Sequence, residues 1–113
     1  MKQIDSISID ELRSMASKMY DELVKAVVDV AKRLVVVDAG LHTDEEQFLL
    51  EQGSLQSDLW GINLYPDYYG QDDFIEFDSM INIRPAQNNR SRSVDDPDTQ
   101  SLIREIVAEV VHG

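Results

Sequence analysis

This sequence predicts an α+β domain: a four-stranded, mainly antiparallel sheet with helices on one face, in the order α-β-β-α-β-β-α. Three observations carry that reading. The spacing of apolar residues changes along the chain from helical to alternating and back. Helix-start signatures stand at Ser8-Ile9-Asp10-Glu11, Thr43-Asp44-Glu45-Glu46 and Asp96-Pro97. Between them lie stretches dense in valine, isoleucine and aromatic residues, which suit pleated, half-buried strands.

The first helix is expected over Ile9–Leu23. Ser8 and Glu11 can form a reciprocal capping box, and Ile9, Leu12, Met15, Ala16, Met19 and Leu23 recur on one face. Val24–Val30 and Leu34–Val37 then read as a hairpin turning at Ala31-Lys32-Arg33, with a longer first helix through Arg33 as the competing reading. A short helix follows the second capping box and ends at Gly53, which fits a left-handed cap.

Leu59–Tyr65 reads as a strand ended by Pro66, with Trp60, Ile62 and Leu64 on its buried face. Asp67–Asp73 is a hairpin loop, and Phe74–Arg84 has the clearest strand alternation. Ile75, Phe77, Ser79, Ile81 and Ile83 share one side, and Glu76, Asp78, Met80, Asn82 and Arg84 the other. After a polar loop over Pro85–Ser93, Asp96 caps the last helix with Pro97 at its first position. Leu102, Ile103, Ile106, Val107, Val110 and Val111 form its apolar stripe. The polar sheet face carrying Asn63, Glu76, Asp78, Asn82 and Arg84 is expected to be open.

Residues 1–113 read as a single domain, because no linker or break in composition divides them. The chain has no cysteine, so disulfides, thiolate catalysis and cysteine-ligated metals are excluded. Without a signal-peptide core or a long apolar run, the expected location is the cytoplasm and no membrane partner is expected.

The formal net charge is −12, and Leu34–Ile83 contains 11 acidic residues and no Lys or Arg. Phosphate-backbone binding relies on clustered bases, so nucleic acid is not an expected partner.

Two groups of residues could carry chemistry. Arg84, Arg90 and Arg92 fall with Asn82, Asn88 and Asn89 in a short stretch free of acids, and arginine forks suit carboxylate or phosphate. Together with Asn63 they form the expected site of a non-enzymatic binding or interaction module for a small anion or a protein partner. The bland reading has the arginines pairing with surplus acids and holding the loop in place. The rival is a small metal-assisted hydrolase using Asp67, Glu76 and Asp78, since paired carboxylates can hold Mg²⁺ or move protons. The lysine that commonly follows such a pair is missing. His42 with Asp44, Glu45 and Glu46 offers metal ligands on paper, but helix capping accounts for the acids. No cofactor is expected, and a homodimer through the polar face or an edge strand is a third possibility.

Four segments also resemble a family. They are H-T-D-E-E, L-L-E-Q-G-S-x-Q-x-D-L-W-G-I-N-L-Y-P, F-I-E-F-D-S-M-I-N-I-R-P-x-Q-x-N-R-S-R, and V-x-D-P before the last helix. They are similar to a small prokaryotic family of conserved proteins of unknown function, from about Lys25 to the C-terminus. The resemblance implies a small stand-alone bacterial or archaeal protein and supplies no catalytic residues. Asn88 stands where the pattern has glycine; asparagine also tolerates a left-handed turn.

Overall fold

The computed structural model describes residues 1–113. Two short strands, β1 (Lys2–Ile4) and β2 (Ile7–Ser8), lead into helix α1 (Ile9–Lys18). Strands β3 (Val24–Asp29) and β4 (Leu34–Val37) form the hairpin, followed by α2 (His42–Glu51), β5 (Leu59–Leu64) and β6 (Ile75–Glu76). Helix α3 (Pro97–Val110) and β7 (Val111–His112) close the chain. Five strands make one antiparallel sheet in the order β1-β4-β3-β5-β6, and β2 pairs in parallel with β7. No helix is long and apolar enough to cross a membrane.

Local signals account for α1, α3 and the first hairpin. Ser8 caps α1 by accepting the Glu11 N–H, and Asp96 caps α3 by accepting that of Asp98. Helix α1 stops at Lys18 rather than Leu23. Asp21 takes a left-handed conformation (φ 64°), and its N–H returns to the Ala16 carbonyl at 2.7 Å, which reverses the chain into β3. The β3–β4 turn is set by Asp29, whose buried carboxylate accepts the N–H groups of Ala31 and Lys32, both at 2.9 Å. That local closure selects the hairpin over a continued helix.

Four further expectations need correction. The sheet has five strands, not four, because Lys2–Ile4 pairs along β4; three residues carry too little pattern to be seen in sequence. Helices cover both sheet faces, not one. Val24, Ala26, Val28, Trp60, Ile62 and Leu64 pack with α1 and α3, while Val27, Val36 and Leu59 face Leu49 of α2. The central strand β3 is accordingly buried along nearly its whole length, on both sides. Helix α2 begins at His42 with Leu41 as N-cap and no capping side chain, so Thr43 lies inside the helix and forms no capping box.

The fourth correction concerns Phe74–Arg84. Only Ile75 and Glu76 pair with β5, and residues 80–82 form a 3₁₀ turn begun by Ser79, whose hydroxyl accepts the Ile81 N–H. Asn82 ends the pairing. Its amide donates to the Gly61 carbonyl at 2.9 Å and accepts the Gly61 N–H at 2.8 Å, so one buried side chain does what a neighbouring strand would do. Ser79 crosses directly over Gly61. A Cβ at that glycine would stand 2.6 Å from both Cβ and Oγ of Ser79, too close for any other residue without a shift.

Candidate functional site

The α2 side of the sheet divides into an apolar and a polar half. Strand alternation puts Lys25 on the same side as Val27, and register places Lys25 beside Asn63 and Asn63 beside Glu76. Val27 and Leu59 pack under Leu49 in the C-terminal half of α2. The N-terminal half, with His42 and Glu45 on its buried side, faces the polar half.

Asn63 is the hub of that half. It is buried, and its Nδ2 donates to Glu76 Oε1 at 2.8 Å and to the Asp78 carbonyl at 3.3 Å, while its Oδ1 has no partner. Tyr65 donates its hydroxyl to the same Glu76 oxygen at 3.1 Å; burial and then the Glu76 contact push the phenol up to about 12. Arg92 Nε donates to Asp78 Oδ1 at 2.6 Å, a charge-assisted bond.

A cleft of about 240 Å³ opens between these groups and the start of α2, lined among others by Lys25, His42, Thr43, Asn63, Asp78 and Arg92. Two cations and one carboxylate stand on its wall. The first turn of α2, with no capping side chain, adds a partial positive charge.

Two buried titratable groups sit at this end of α2. His42 Nε2 lies 2.7 Å from the Ile62 carbonyl. A carbonyl only accepts, so Nε2 carries the proton. Burial moves the imidazole below its ordinary range; the Ile62 carbonyl and Asp78 oppose that, and Lys25 and Arg92 add to it. The ring is therefore neutral at pH 7, with an unprotonated Nδ1. Glu45 is completely buried and neither carboxyl oxygen has a hydrogen-bond partner. Burial pushes it up to about 10, although the Ala39 amide, Lys25 and the chain's amino terminus pull the other way. It is a neutral acid at pH 7 and takes no positive charge from the cleft.

With this arrangement in view, the comparisons with known proteins place the chain. The profile of a family described as proteins of unknown function, DUF5674, matches residues 3–110. The chain belongs to this family. No curated protein and no solved structure matches it.

Of the residues expected to bind, this DUF5674 member brings only Asn63 and Arg92 together. Asn82 and Asn89 are buried rather than open. Asn89 Nδ2 serves the carbonyls of Asn82, Ser91 and Ser93, and its Oδ1 accepts the Asp95 N–H at 2.8 Å. These two amides hold the loop's backbone and are occupied in doing so. Arg84 leaves the expected polar face. Its guanidinium lies 4.1 Å from the centre of the Trp60 ring and donates to the carbonyls of Gln56 and Leu59. Asn88 holds the exposed left-handed turn (φ 61°), and Arg90 is exposed with its backbone N–H on Asp95. The three arginines thus point to separate places.

The rival acids are dispersed as well. Asp67 meets Arg13 at 3.4 Å, Glu76 holds Asn63 and Tyr65, and Asp78 holds Arg92. No group of three or more His, Cys, Asp or Glu side chains could hold a metal ion.

Sequence reasoning missed Lys25 and weighed His42 only as a metal ligand. Lys25 was detectable as the one charge on the α2-facing side of β3 before Asp29; nothing in the sequence tied it to Arg92.

Proposed function

We propose that this DUF5674 protein is a non-enzymatic binding module that holds a small anion in the cleft between the start of α2 and the Asp78–Arg92 pair. One observation carries the reading. In a chain of net charge −12, the cations Lys25 and Arg92 come from either side of the basic-free segment and meet at an uncapped helix start. Arg92 uses Nε on Asp78, which leaves its terminal N–H groups free to fork onto an oxyanion. The helix start favours the same sign of ligand. Glu76 stands behind Asn63 on two hydrogen bonds, and Glu45 is uncharged, so neither cancels the positive wall.

The alternative of a metal-assisted hydrolase on Asp67, Glu76 and Asp78 has less support, since each acid already has its own partner. Titration with phosphate and with acetate, followed through backbone amide shifts, tests the proposal. Saturable shifts at His42, Thr43 and Arg92, lost in Lys25→Met and Arg92→Gln, are expected. Shifts confined to Asn88–Arg90 would return the site to the exposed loop, and no shifts at all would remove the anion site.

A further inference from the structure

The cleft is lined by two cations and also by a buried imidazole. His42 is 7% exposed and lines the cleft. Its Nε2–H is spent on the Ile62 carbonyl, which fixes the ring, and its Nδ1 makes no hydrogen bond within the chain. A buried imidazole acceptor beside two cations and a helix start is the pattern of a two-point site: one group of the ligand is anionic, and a second donates a proton to a fixed nitrogen. The donor cannot comfortably be an ammonium, because it would sit beside Lys25 and Arg92. A neutral hydroxyl satisfies the acceptor without that repulsion. About 240 Å³ is below the range of pockets for drug-sized ligands, so only a few heavy atoms fit. Leu41, Met80 and Ile81 supply an apolar rim for a short carbon chain.

We infer that the ligand class of this cleft is a small hydroxy acid, its carboxylate held by Arg92, Lys25 and the first turn of α2 and its hydroxyl donating to His42 Nδ1. The inference rests on the anion-binding reading above and adds the second contact. It assigns His42 a specificity role and no chemical step.

Lactate and propionate make the decisive pair, since they share chain length and charge and differ by one hydroxyl. Titrations of the full chain should show lactate binding about three- to ten-fold more tightly, the worth of one hydrogen bond. The ¹⁵N resonance of His42 Nδ1 should move with lactate and stay in place with propionate. His42→Leu removes both ring nitrogens and leaves no side-chain acceptor at this position; once shown to be folded, it should bind both acids with the affinity of propionate for the wild type. Equal affinities in the wild type, or an Nδ1 resonance indifferent to lactate, would overturn the hydroxy-acid assignment while leaving the anion site standing. A lactate preference that persists in a folded His42→Leu would also overturn it. If neither acid binds, the anion site itself fails and this inference fails with it.

Discussion

The two faces of the sheet are built on different principles. The α1/α3 face buries Val24, Ala26, Val28, Trp60, Ile62 and Leu64 against apolar helix stripes, with no charged side chain in the packed layer. The α2 face has an apolar patch of four fully buried residues and then gives way to Lys25, Asn63, His42 and Glu45. A buried polar group without a partner costs about 1–3 kcal/mol. The α2 face tolerates several such atoms, on Asn63 and Glu45, whereas beside Trp60 the one such atom is Nε of Arg84. Apolar packing is therefore concentrated on one side, and the polar cleft lies on the other.

Substitutions can break that contrast. The largest effect is expected on the sealed face: Ile106→Ala, at a site 1% exposed, should cost about 2–5 kcal/mol in chemical denaturation. A loss under about 1 kcal/mol would mean that the α3 packing is looser than its burial indicates.

Glu45 should give the opposite sign. Its pKa is raised in the folded protein, from an ordinary 4.5 to about 10, so between those values the unfolded chain releases a proton that the native state keeps. Native stability should fall as pH rises through that window. Glu45→Met removes the penalty, and its advantage over the wild type should grow by at most about 3 kcal/mol between pH 4.5 and pH 7. Parallel stability–pH curves for the two proteins would show that the carboxyl is solvated or paired.

Asn82→Ala should cost about 1–3 kcal/mol, because the N–H and C=O of Gly61 lose their partner in a buried setting. Hydrogen exchange at Gly61 is the sharper readout: its amide should lose protection well before those of Val27 and Val28. The smallest effects belong to the exposed arginines. Arg90→Ala should change stability by less than about 0.5 kcal/mol, and Arg92→Gln by little more, since its bond to Asp78 is half-exposed. Arg92→Gln should nevertheless abolish anion binding, which separates function from stability on this face.

How far the site was legible follows from the kind of bond involved. Asn63 and Arg92 were visible as polar residues in a suggestive setting, and both line the cleft. Asn82 and Asn89 looked the same in sequence, because an asparagine that binds a ligand and one that staples a loop differ only in what lies opposite. Arg84 looked like a third member of an arginine cluster and instead lies over Trp60, whose strand position placed it correctly but whose neighbours were hidden.

The sequence by itself determined the elements whose causes lie within a few residues. Ser8 and Asp96 start α1 and α3, Asp29 turns the β3–β4 hairpin, and alternation with Pro66 bounds β5. Each rests on hydrogen bonds or sterics between near neighbours, which a local pattern reports. The end of β6, the division of helices between the two faces and the meeting of Lys25 with Arg92 were decided only in three dimensions. The Phe74–Arg84 alternation was real, but the carboxamide of Asn82 won the Gly61 backbone groups that a longer β6 would have needed. That competition is between groups far apart in the chain, and it exists only once the sheet has formed.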